Sequence, residues 1–183
     1  PVYFKNDGKA YPYYLKDEME SQIPSLKKKF LRYDSYAGKP IEEIFSSDQL
    51  NQATKLSVEQ TQTAVFMNDG KEQFTMQDLP IMAQLSPVYG IAIWDMNGDG
   101  KKDIFMGGNF YGLKPQTGRL DAGFGTTLIS NPMGGYTYLK PKESGLLVNG
   151  ELRDIALIKS AGGEKFIIVS MNNDHLHLFR KTK

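Results

Sequence analysis

Apolar residues in this chain come in short runs bounded by Asn, Asp, Gly and Pro. Val2-Tyr3-Phe4, Ala64-Val65-Phe66-Met67, Tyr89 to Trp94, Ile104-Phe105-Met106, Leu128-Ile129, Asp154 to Ile158, Phe166 to Ser170 and Leu176 to Arg180 are the clearest. They are brief and rich in β-branched and aromatic residues, which suits strands better than helices. Val2–Tyr11, Ala64–Phe74 and Leu128–Tyr136 each read as strand, turn, strand, with an aromatic residue near the start of the second strand. These segments predict hairpins. The Asn-Asp-Gly turns within the first two are explained by turn chemistry, without a bound ligand.

Residues 15 to 60 break the pattern. Ile23, Leu26, Phe30 and Tyr33 recur at helical spacing, with Pro24 fitting a first helical turn. Ile41, Ile44 and Phe45 suggest a second short helix, and Asp48 to Ala53 a third. Lys27-Lys28-Lys29 is offset by Asp17, Glu18, Glu20 and Asp34, so it reads as a solvated helix face. The expected organisation is a hairpin of an incomplete unit over 1–14, a helical insertion over 15–60 and β structure over 61–183. All of it is expected to form one compact domain.

One further hairpin carries chemistry. Asp95-Met96-Asn97-Gly98-Asp99-Gly100-Lys101-Lys102-Asp103 spaces oxygen-bearing side chains at near-alternate positions, with Gly where the backbone turns. Calcium takes about six to eight hard oxygen ligands. Asp95, Asn97 and Asp99 would supply side-chain oxygens, Lys101 its carbonyl, and Asp103 would close the cage. An EF-hand would need a bidentate Glu at the twelfth position, where Met106 stands, and flanking helices. Apolar, strand-like flanks instead place this loop between two strands.

Residues Tyr89 through Gly108 resemble an FG-GAP/VCBS repeat, the calcium-bearing unit of integrin-α-like β-propellers. Tyr89-Gly90 stands where that family has Phe-Gly, and Gly107-Gly108 where it has Gly-Ala-Pro. The wider chain resembles the C-terminal part of large bacterial secreted VCBS-type proteins, of the kind grouped with ASPIC/UnbV and cartilage-acidic-protein relatives. The resemblance implies a secreted or surface-exposed, extracytoplasmic protein working through protein or glycan contacts.

Asp154 to Ser170 then reads as a related hairpin without the ion, because Lys159 takes the place of the first ligand. Two hairpins make one four-stranded blade. The expected fold is therefore mainly β, a partial propeller-like arrangement of about two and a half to three blades where a ring needs at least about four. Open sheet edges invite association with upstream blades or other chains.

Composition narrows the function. The chain has 183 residues, 40% of them hydrophobic, a formal net charge of +1 and no Cys. That balance does not suggest a phosphate-binding surface for nucleic acid. No apolar run is long enough to span a membrane. Absence of Cys removes disulfides and thiol chemistry without fixing a compartment. Starting at Pro1, the sequence is expected to be a segment of something longer.

Catalytic signals are weak. His175 and His177 alternate on an expected strand, with Asp174 adjacent, but two ligands do not make a zinc site. No G-x-S-x-G elbow, Walker loop or dinucleotide fingerprint occurs. A glycosidase would need two carboxylates about 5–10 Å apart, and Asp121, Glu143 and Glu151 remain candidates. Phe110, Tyr111, Phe124, Tyr136 and Tyr138 suit either sugar stacking or core packing. The leading expectation is a non-enzymatic calcium-binding module. The alternatives are a carbohydrate-active enzyme built on the same chassis and a structural end-cap.

Overall fold

Asx turns and left-handed glycines close the hairpins of this chain. In the computed structural model, which describes residues 2–115 and 117–180, the Asn68 side chain accepts the Gly70 N–H at 2.7 Å and Asp69 accepts the Lys71 N–H at 2.6 Å. Gly70 has a φ of 77°. A residue with a Cβ pays a steric penalty there. That turn joins strands over Ala64–Asn68 and Phe74–Asp78, paired antiparallel from Ala64 opposite Asp78 to Asn68 opposite Phe74.

The chain divides into two compact units, residues 1–59 and 60–183, where the sequence suggested a single domain. Pro1 and residues 181–183, at the ends of the expected ranges, lie outside the described residues.

The first unit begins with a hairpin, β1 (Val2–Phe4) and β2 (Ala10–Pro12). Four short helices follow: α1 (Lys16–Gln22), α2 (Leu26–Lys29), α3 (Ile41–Ile44) and α4 (Ser47–Gln52). The continuous apolar helix face expected through Ile23 and Tyr33 is interrupted. Ile23 lies at φ −128°, ψ 79° immediately before Pro24, because a following proline disfavours the helical region. Leu26 and Phe30 still reach the core, with Tyr36 and Ile44, whereas Tyr33 is exposed. Of the three lysines, Lys29 points its ammonium at the carbonyls of Glu43 and Ile44 at 2.9 and 2.8 Å. A cation there suits the negative end of α3. The expected third helix begins with a capping box, Ser46 and Gln49.

The second unit is mainly β. It contains β3 (Ala64–Asn68), β4 (Phe74–Asp78), β5 (Val88–Trp94), β6 (Asp103–Gly108), β7 (Thr126–Ser130), β8 (Tyr136–Leu139), α5 (Pro141–Ser144), β9 (Leu152–Lys159), β10 (Lys165–Met171) and β11 (His177–Arg180). Strands β5 to β8 form one antiparallel sheet in chain order, so the loop-bearing hairpin and the next hairpin make a single four-stranded sheet. The other sheets are β9–β11, with β10 central, and the pair β3–β4; none closes on itself.

Strand β6 is buried at every position. Its alternating side chains feed two cores, as the two-residue period requires. Ile104 and Met106 join Leu79, Ala83 and Leu128 on one face. Phe105 joins Ala92, Leu152, Ile155 and Val169 on the other. Strand β6 is thus packed on both faces, which accounts for the unbroken apolar run in its sequence. Among the described residues no helix is long and apolar enough to cross a membrane.

Candidate metal centre

The Asp95–Asp103 loop joins β5 to β6 at one end of the four-stranded sheet. Gly98 and Gly100 adopt φ of 87° and 85°, so both turns depend on glycine. Asp95 organises the loop. One carboxylate oxygen accepts the N–H groups of Gly98 and Asp99 at 2.6 and 3.2 Å, and the other accepts the Gly100 N–H at 2.9 Å. These donors, Gly100 first, hold the Asp95 carboxyl below the usual carboxylate range.

Asn97 and Asp99 are drawn together within the loop. The Asn97 amide donates to Asp99 at 3.1 Å, and its oxygen accepts the Asp99 N–H at 2.9 Å. Asp99 also accepts the Lys101 N–H at 2.8 Å. The Lys101 ammonium reaches the Asn131 carbonyl at 3.2 Å, tying the loop to the β7–β8 turn.

Asp103 is wholly buried. Its two oxygens accept the Met96 and Ser130 N–H groups, each at 2.9 Å. It links the start of the loop to the end of β7. With one N–H on each oxygen, Asp103 acts as a structural clasp as the chain stands.

The donor set consists of oxygens and fits a hard cation such as calcium. Asp95, Asn97, Asp99 and the Lys101 carbonyl are the groups that would hold it. A carboxylate oxygen that takes one N–H keeps a second lone pair. Among the described residues, no group of three or more His, Cys, Asp or Glu side chains stands ready to hold an ion. The loop carboxylates face N–H donors of their own backbone and of Ser130.

Gly90 and Gly107, which flank the loop, have a packing role. A Cβ on Gly90 would lie 2.6 Å from Leu152 Cδ2 and 2.9 Å from Ile155 Cγ1, and one on Gly107 would lie 2.9 Å from Leu152 Cδ1. Both glycines therefore admit Leu152 of β9 against the four-stranded sheet. At Gly108 the obstacle is the Pro87 backbone.

The other candidates are held locally. Glu151 is buried. It accepts from Asn172 at 2.7 Å and from the Tyr111 N–H at 2.8 Å, and pairs with Arg153 at 2.6 Å. The Asn172 bond, ahead of Tyr111 and Arg153, lowers its pKa. Glu143 accepts the Lys140 N–H at 3.0 Å in the capping box of α5. Asp121 is exposed. His175 precedes β11 rather than sharing it with His177, which stacks on Phe179. Tyr136 and Tyr138 pack against the core around Leu128, whereas Phe124 is exposed.

A buried polar knot escaped the sequence reading. Asn109, only 1% exposed and at φ 90°, donates to the Gly123 and Gly150 carbonyls at 2.8 and 2.9 Å and accepts the Gly123 N–H at 3.0 Å. Arg153 donates to the Asn109 carbonyl at 3.1 Å and lies over the Tyr89 ring. These partners are far apart in sequence, so no local pattern announces them.

No family model, curated protein or solved structure matches this chain. Its own geometry is what bears on function.

Proposed function

We propose that residues 60–183 form a calcium-stapled β module of FG-GAP/VCBS type, a segment of a larger β-propeller. The module serves as a structural or protein- or glycan-binding element of a secreted or cell-surface protein, without catalysis of its own. One observation carries the reading: an all-oxygen D-x-N-x-D-G-x-x-D loop joins two antiparallel strands whose flanking Gly90 and Gly107 both face Leu152 of the adjacent sheet. Glycines at these places let neighbouring sheets approach closely, as a stack of blades requires. The ion's role is to hold Asp95, Asn97, Asp99 and Lys101 together and fix the end of the β5–β6 hairpin. It stabilises the folded state in proportion to the logarithm of its concentration over its dissociation constant.

The test is thermal unfolding in excess EDTA against calcium at about millimolar concentration, a range in which extracellular sites are occupied. A calcium-dependent rise in Tm that disappears in Asp99→Ala supports the reading. Equal Tm in the two buffers sinks it and leaves Asp95–Asp103 as a self-capped polar turn.

A further inference from the structure

We propose that the wedge between the four-stranded sheet and the β9–β11 sheet binds a single-chain amphiphile with an anionic head, a long-chain carboxylate in its simplest form. The wedge has a volume of about 960 Å³, at the upper end for small-molecule sites, roughly 300–1,000 Å³. Trp94 and Ile129 line one wall, and Leu157, Ile167 and Phe179 the other. An apolar chain lying between them would cover side chains that the two sheets leave half-open.

Charge selects the head group. Lys159 and Lys165 line the same wedge and stand directly opposite each other on β9 and β10. Like charges in that register repel. Neither ammonium makes a hydrogen bond or ion pair among the described residues. The lining acids are engaged elsewhere: Asp95 takes loop N–H groups from Gly98, Asp99 and Gly100, and Glu143 takes the Lys140 N–H. An anion would bridge the two lysines and relieve their repulsion.

A second feature points the same way. Thr127 is 1% exposed, lines the wedge, and leaves its hydroxyl without a partner. A buried hydroxyl without a partner is costly, and a water drawn in beside the bound chain would satisfy it. The inference does not depend on whether the loop holds calcium.

Trp94 is the only tryptophan in the chain, so its fluorescence reports on the wedge alone. Titration with ω-bromododecanoate below its micelle concentration, in EDTA so that no calcium soap forms, should quench Trp94 saturably. The double substitution Lys159→Met with Lys165→Met should weaken binding by about tenfold or more, as expected for loss of contacts to a charged group. It should leave the affinity for ω-bromododecanol unchanged. Leu157→Glu, at a side chain already 45% exposed, should abolish carboxylate binding with unaltered circular dichroism. Absence of quenching overturns the proposal. So does equal affinity for dodecanoate in the lysine variant, or equal affinity of the wild type for a dodecylammonium competitor. A concentration-dependent Trp94 shift without ligand would assign the wedge to a second copy of the chain and overturn it as well.

Discussion

Two hairpins in this molecule share a plan and differ in their tips. β5–β6 and β9–β10 each supply the first two strands of a sheet. The β9–β10 tip closes with Ser160 alone: its N–H donates to the Glu164 carbonyl at 2.8 Å, and its hydroxyl accepts the Glu164 N–H at 3.1 Å. The β5–β6 tip spends Asp95, Asn97 and Asp99 on the same task and adds Asp103 as a buried clasp to β7. A two-strand connection does not need that many acceptors. The excess oxygen in one tip, set against the economy of the other, is the best physical reason to expect a cation at Asp95–Asp103.

The comparison breaks hardest at Asp103. Asp103→Ala removes the acceptor that joins the Met96 and Ser130 N–H groups and should cost about 2 kcal/mol or more, at about 1–3 kcal/mol for each buried hydrogen bond lost. Urea unfolding would measure it. Asp103→Asn, which retains one acceptor, should lose visibly less. If the alanine variant is as stable as the wild type, the clasp is incidental.

Gly90→Ala comes next. Its new methyl collides with Leu152 and Ile155, and overpacking of this kind costs about 1–3 kcal/mol. Pairing it with Leu152→Ala should restore part of the loss in a double-mutant cycle. Additive effects would show that the glycine serves some other purpose.

Replacing residues 95–102 with the sequence of the β9–β10 tip, Ser160 to Glu164, is the direct exchange. The chimera should lose any rise in Tm on calcium addition while keeping the sheet's circular dichroism. A retained calcium shift would place the ion elsewhere.

The smallest effect concerns pH. Because the Asp95 pKa is lowered on folding, its contribution is complete above the unfolded value of about 3.9. It is lost as pH falls through the lower folded value. Asp95→Asn should therefore flatten the loss of stability below about pH 4, with little change in the slope near neutrality. An acid limb identical to that of the wild type would mean that the loop N–H bonds do not survive in solution.

Local chemistry made much of the β structure legible. Asx-Gly turns placed the 2–11 and 64–74 hairpins, and the spacing of Asp95, Asn97, Asp99 and Asp103 marked the loop from the sequence alone. The Asx turns, the left-handed glycines and the capping box at Ser46 draw on neighbours within a few residues, so the sequence determines them directly. It misled at Ile23, where helical spacing hid the veto that Pro24 exerts on the residue before it.

Tertiary structure alone decided the rest. It made Asp103, expected from the sequence to close the loop's cage, a clasp on Ser130, 27 residues away. It gave Gly90 and Gly107 a common neighbour in Leu152, and it made Glu151 part of a buried knot with Tyr111, Arg153 and Asn172. It also brought Lys159 and Lys165 into the wedge that Trp94 lines. The physical reason is that each of these depends on strand register and on how closely two sheets approach. Those are set by burial summed over whole faces, and no local stretch of the chain encodes them.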